Sequence, residues 1–68
     1  MSKAPIECGV CRESDTTPWQ FYVGDYGIFD ATAKGLRDAL FMVYGNDKAV
    51  ATVFNTWVEA VVWNAPDE

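Results

Sequence analysis

Trp19-Gln20-Phe21-Tyr22-Val23-Gly24-Asp25-Tyr26-Gly27-Ile28-Phe29-Asp30 is the stretch whose reading decides the fold. Two runs rich in aromatic and β-branched residues flank Gly24-Asp25. A two-residue loop with glycine first suits a type II′ hairpin turn, because glycine takes positive φ there without a steric cost. Folding the chain about that turn pairs Val23 with Tyr26, Phe21 with Ile28 and Trp19 with Asp30. Side chains alternate across a strand, so Trp19, Phe21, Val23, Tyr26 and Ile28 are expected on the core face and Gln20, Tyr22, Gly27 and Phe29 on the outer one. Two aromatics, Tyr22 and Phe29, are then left outside.

Upstream, Ile6, Cys8 and Val10 alternate with Glu7, Gly9 and Cys11, the pattern of a short edge strand. Glu13-Ser14-Asp15-Thr16-Thr17-Pro18 follows as a run of turn formers. Residues 1–18 therefore read as an edge strand and a polar loop, or as a partly flexible arm. Downstream, Asp30 or Thr32 can cap a helix in which Ala31, Ala33, Leu36, Ala39, Leu40 and Val43 recur at helical spacing until Gly45 stops it. Gly35 inside that helix costs ~1 kcal/mol relative to alanine. Asn46-Asp47 opens a second periodic segment, with Val50, Phe54, Trp57, Val58 and Val61 on one side and Thr52, Asn55, Thr56 and Glu59 on the other. Its β-branched content suits a strand equally well, and its length decides for a helix. Residues 64–68, ending in Pro66-Asp67-Glu68, read as a frayed acidic tail. The expected fold is α+β: one domain over residues 1–68, with a two- or three-stranded antiparallel sheet covered by two C-terminal helices.

Sixty-eight residues support one hydrophobic core, and an apolar fraction of 50% with a net charge of −5 lies outside the disordered regime. The longest apolar segment, Val50 to Trp63, is interrupted by Thr52, Asn55, Thr56 and Glu59, short of the ~20 residues a membrane span needs. Met1 to Glu7 carries no apolar signal region, so a cytoplasmic protein with Cys8 and Cys11 as thiols is expected.

With no histidine in the chain, the side chain most used for proton transfer near neutral pH is missing. No nucleophile elbow, phosphate-binding loop or dinucleotide fingerprint is present, and nothing pins two carboxylates together. A non-enzymatic protein without cofactors is the expectation. Cys8-Gly9-Val10-Cys11 is half of a zinc knuckle, yet a structural zinc needs four ligands and the chain has no further Cys. Small core-filling residues are the favoured reading of this pair. A disulfide, a zinc shared between two chains and a thiol redox pair are the alternatives.

The acidic balance is uneven. Asp25 and Asp30 give the hairpin −2, while Asp47, Glu59, Asp67 and Glu68 against Lys48 give the C-terminal segment −3. Such a field repels nucleic acid and attracts basic protein surfaces, or simply keeps a small protein soluble. A net charge of −5 imitates at most a short patch of duplex, which carries one charge per ~1.7 Å. Aromatic residues make up 15% of the chain, more than a two-layer domain buries readily. Tyr22 and Phe29 on the outer hairpin face, with Phe41 and Trp63 off the helical stripes, are candidates for an interaction surface. The candidate partner-binding residues are Asp25, Asp30, Asp47, Glu59, Tyr22, Phe29 and Trp63.

In size, charge and element order the chain resembles the small acidic proteins of phages and mobile elements, and among these it is most similar to the anti-CRISPR proteins. The resemblance implies an inhibitor in the host cytoplasm that occludes the basic nucleic-acid-binding surface of a larger partner such as a Cas protein. Asp25, Asp47 and Glu59 would face the Lys and Arg that normally hold phosphate. The alternative is a small structural homodimer or subunit docking through exposed aromatics, with a CxxC thiol or zinc module on Cys8 and Cys11 as a third reading.

Overall fold

The computed structural model describes residues 6–65. The expectations for the first five residues and for residues 66–68 of the tail lie outside them, while Asn64, expected to open that frayed tail, instead ends the last helix. Three strands, β1 (Cys8–Cys11), β2 (Gln20–Val23) and β3 (Gly27–Asp30), form an antiparallel sheet in the order β1-β2-β3. Two helices follow, α1 (Ala33–Met42) and α2 (Asp47–Asn64). The fold is α+β in two layers: α2 packs on β1 and β2, and α1 packs on β3 and α2.

The Gly24-Asp25 turn forms, and the Tyr26 N–H donates to the Val23 carbonyl at 2.8 Å. The register beyond it differs from the expected one. Val23 pairs with Gly27, Tyr22 with Ile28, Phe21 with Phe29 and Gln20 with Asp30. Gly27 sits at φ 131, a conformation that L side chains rarely adopt, and it inserts one extra residue opposite Val23. Because side chains alternate with a period of two, that one residue turns the whole of β3 over. Phe29, expected outside, lies inside and stacks on Phe21 at 5.8 Å between ring centroids. Ile28 and Tyr26, expected in the core, are exposed.

Phe21, Val23 and Val53 are fully buried, each contributing about 1.5–3 kcal/mol through the surface it removes from water. The core is completed by Ala39 and Val43 of the first helical segment and Ala49 and Ala60 of α2. The expected stripe on α2 is rotated. Its buried positions are Ala49, Val53, Thr56 and Ala60, with Val50 and Trp57 half-buried and Phe54, Val58 and Val61 exposed. Small residues on the sheet side let the helix axis approach the strands closely, which Phe54 in that row would prevent. Thr56, expected outside, is buried because its hydroxyl donates to the Thr52 carbonyl at 2.8 Å, leaving no unpaired polar atom.

Caps and tertiary hydrogen bonds hold the ends. The Thr32 hydroxyl accepts from the Gly35 N–H at 3.1 Å, and the Asn46 side chain accepts from the Ala49 N–H at 3.2 Å. At the far end of α2 the Asn64 amide pairs with both backbone groups of Trp19: it accepts from Trp19 N–H at 2.7 Å and donates to Trp19 O at 3.1 Å. The Trp57 indole N–H donates to Thr32 O at 2.9 Å, tying α2 to the start of α1.

Gly35 is where helix propensity and packing disagree. A Cβ built there would lie 1.9 Å from the Asp30 carbonyl oxygen, so only glycine lets α1 start so close behind β3. Gly35→Ala, which propensity alone would make stabilising by ~1 kcal/mol, is expected to destabilise by about 2–3 kcal/mol. Urea unfolding followed by far-UV circular dichroism measures it, and an unchanged or higher midpoint would contradict the close approach.

Candidate binding surface

Both helices cover one face of the sheet, which leaves the other face open. Period-two alternation assigns its residues: Gly9 and Cys11 on β1, Gln20 and Tyr22 on β2, and Ile28 and Asp30 on β3. Glu7 continues the outward series just before β1. These residues stand in two cross-strand rows, Gly9-Tyr22-Ile28 and Cys11-Gln20-Asp30. The Tyr22 ring lies across Gly9, where any Cβ would come within 2.6 Å of it. Beside it Ile28 is 60% exposed. Gln20 Nε2 donates to the Asp30 carboxylate at 2.9 Å, which orients that charge over the middle strand.

The face is acidic throughout. Glu7 and Asp30 flank the apolar pair of Tyr22 and Ile28, and Asp25 is exposed in the hairpin loop at one end. No Lys or Arg occupies an outward position of the three strands. Every carboxylate among the described residues is exposed, and the one ion pair there is Arg12 with Asp15, at 3.4 Å.

Of the seven residues expected to bind a partner, the structure gathers Tyr22, Asp25 and Asp30 on this open side. Phe29 belongs to the core, and Ile28 takes its outward place. Gly27 is the residue that could have signalled this, since glycine inside a strand pattern often marks a bulge. Asp47 and Glu59 lie in the helical layer, twelve residues apart on α2, about 18 Å along the axis and a third of a turn around it. Trp63 is also there, with its ring edge against Trp19 at 4.8 Å and 74°. The Arg12 guanidinium covers Trp19, 4.3 Å from the ring centroid. Trp63 is thus partnered within the chain while remaining 48% exposed.

An open cleft of about 390 Å³ lies where the polar loop meets the ends of β2, β3 and α2, lined among others by Glu13, Trp19, Gln20, Asp30, Thr32 and Asn64. Carboxylate residues Glu13 and Asp30 and hydroxyl residues Thr17 and Thr32 are among its lining. Among the described residues no three His, Cys, Asp or Glu side chains converge on a point that could hold a metal ion. Nor, among them, is any helix long and apolar enough to cross a membrane.

Cys8 and Cys11 are free, and three residues along a strand place them on opposite faces. Cys8 packs against the core, and Cys11 belongs to the open face. One chain therefore cannot bring both sulfurs to one zinc, nor join them in a disulfide while β1 is intact. Burial pushes the Cys8 thiol above its usual 9.0, partly offset by a hydrogen bond with the Gly24 backbone.

No family model, curated protein or solved structure matches this chain. Its functional reading rests on its own residues.

The two thiols are expected to react in separable phases with a disulfide reagent near pH 8, Cys8 in the slow one because little of it is thiolate and it is packed inward. Cys8→Ser should remove the slow phase alone. A single fast phase for both thiols, or an internal Cys8–Cys11 disulfide in protein with an unchanged circular dichroism spectrum, would contradict the separation of the two faces.

Proposed function

We propose that this chain is a non-enzymatic binding protein whose open sheet face docks on a basic surface of a larger partner and competes there with nucleic acid. The observation that carries the reading is the uncovered face itself. Tyr22 and Ile28 form an apolar centre, Glu7, Asp25 and Asp30 form an acidic rim, and no cation shares the outward strand positions. A core of aromatic and aliphatic contacts within a charged rim is the usual anatomy of a protein interface. Carboxylates at the rim add orientation and association rate against a positive partner.

The mechanism would be occlusion. Phosphate binding runs on Lys and Arg, and a partner whose cations are engaged by Asp25, Asp30 and Glu7 cannot hold a nucleic-acid backbone at the same place. This is the mode of action implied by the resemblance to anti-CRISPR proteins, and a Cas effector in the host cytoplasm is one partner of that kind. Asp47 and Glu59 stand apart from the face and are not needed for it.

The test is capture from the native host's lysate on immobilised protein, comparing wild type with Asp25→Lys/Asp30→Lys and, as a control of equal charge change, Asp47→Lys/Glu59→Lys. The expected result is one basic nucleic-acid-binding protein whose capture falls at least tenfold for the first variant and with added salt, and much less for the second. The captured protein should also lose nucleic-acid binding when wild type is added. Capture unaffected by Asp25→Lys/Asp30→Lys, or a captured partner that still binds its nucleic acid, would defeat the proposal.

A further inference from the structure

Cys8 and Cys11 lie close in the chain and apart in the fold. Three residues of extended strand separate their Cα atoms by ~10 Å and send the side chains to opposite faces, whereas a disulfide needs Cα atoms within roughly 7 Å and converging side chains. Released from the strand, the same four residues form a short loop of the Cys-X-X-Cys kind, whose sulfurs can meet. β1 and a Cys8–Cys11 disulfide therefore exclude each other, and each redox state of the pair favours one state of the strand.

β1 is also the element that the rest of the fold can spare. It is an edge strand of four residues that, among the described residues, pairs with β2 alone. None of the four is fully buried. Cys8 and Val10 pack against the core from its margin, while every buried residue of the core itself lies from Phe21 onward. The Phe21–Phe29 stack and the hydrogen bonds of Asn64 with Trp19 and of Trp57 with Thr32 likewise involve no residue of β1. Opening β1 is thus a local event, and local opening costs less than global unfolding.

We infer that β1 is a redox-sensitive strand: oxidation of Cys8 and Cys11 to a disulfide releases it from β2 while β2, β3, α1 and α2 stay folded. The oxidant is a small disulfide such as glutathione disulfide. The Cys11 thiolate, on the open face, attacks one of its sulfurs, and the first glutathione thiolate leaves. When β1 opens, the Cys8 thiolate attacks the Cys11 sulfur, the Cys8–Cys11 bond forms and the second glutathione thiolate leaves. The two protein thiols are oxidised, one glutathione disulfide is reduced, and the two thiol protons end on the glutathiones. Release carries Gly9 and Cys11 off the open face and breaks the bond from the Gly24 N–H to the Glu7 carbonyl. Only one further consequence, the loss of Glu7 from an acidic docking rim, rests on the function proposed above.

The chain at low micromolar concentration, equilibrated in glutathione buffers of graded ratio, quenched with acid and weighed by mass spectrometry, gives the fraction of internal disulfide with no partner present. The disulfide should form within the monomer, with an equilibrium constant at least ~10-fold lower in native protein than in concentrated urea, because the folded chain must first open β1. The oxidised protein should keep its helical circular dichroism. In it the Gly24 N–H should lose its protection from hydrogen exchange, and the contact between Gly9 and the Tyr22 ring should disappear. Val10→Ala, which loosens β1 against the core, should raise the native equilibrium constant several-fold at unchanged circular dichroism. Should that variant unfold, the comparison of native protein with urea reads the same coupling. An internal disulfide that leaves the Gly24 protection and the Gly9–Tyr22 contact intact overturns the inference. So do oxidation equally favourable in native and urea-unfolded protein, helices lost together with β1, and the absence of an internal disulfide at every glutathione ratio.

Discussion

The stacking of Phe29 on Phe21 is the contact on which the rest of the structure depends. It exists because Gly27, at positive φ, admits one extra residue between the Gly24-Asp25 turn and the ladder. Without that residue β3 would carry Ile28 and Tyr26 inward and turn Phe29 to solvent. With it, the inner face presents Val10, Phe21, Phe29 and Val23 to the helices, while Tyr22, Ile28 and Asp30 are sent to the side that no helix covers. A single backbone conformation thus decides both the core and the candidate binding face. Two side chains exchange roles while the composition of the hairpin stays the same.

The second constraint is closeness between the layers. Gly35 lies against the Asp30 carbonyl, and α2 meets the sheet through Ala49, Val53, Thr56 and Ala60. Small residues at the contact bring the backbones together, and Phe54, Val58, Val61 and Val62 are left on exposed positions of α2. A 68-residue chain has few large side chains to spend on its interior, and its fully buried set is short. Polar clamps compensate. The Asn64 amide pairs with the Trp19 backbone and the Trp57 indole with Thr32, and each such hydrogen bond contributes of order 1 kcal/mol.

Much of the architecture was legible from residue pattern. The turn at Gly24-Asp25, the edge strand at Cys8 to Cys11, the Thr32 cap and the start of α2 at Asn46 are all local signals, and local signals were enough for them, whereas α1 stops at Met42, three residues before the expected Gly45. What failed were choices that depend on contact between elements. Alternation cannot tell which of two faces is inner when both carry aromatics, as in Phe21-Tyr22 and Ile28-Phe29. Apolar size marked Phe54, Val58 and Val61 as the buried stripe of α2, whereas a close helix–sheet approach selects alanine and threonine. Gly35 looked like a weak point of α1 because the carbonyl it accommodates belongs to another element. In the candidate site, Tyr22, Asp25 and Asp30 were found from their place on the hairpin. Glu7 and Ile28 were missed, the first because β1 had no assigned partner face and the second because of the register.

The open sheet face, acidic at its rim and apolar at its centre, lies on the layer opposite the helices. It follows from the β3 register, since the helices cover the side on which Phe29 stands. The most direct measurement is therefore a set of cross-strand nuclear Overhauser contacts in the hairpin. The ring protons of Phe21 and Phe29 should show contacts to each other, and Tyr22 should show them to Ile28. Contacts linking Phe21 to Ile28 and Val23 to Tyr26 in their place would mean the other register, and with it the wrong open face.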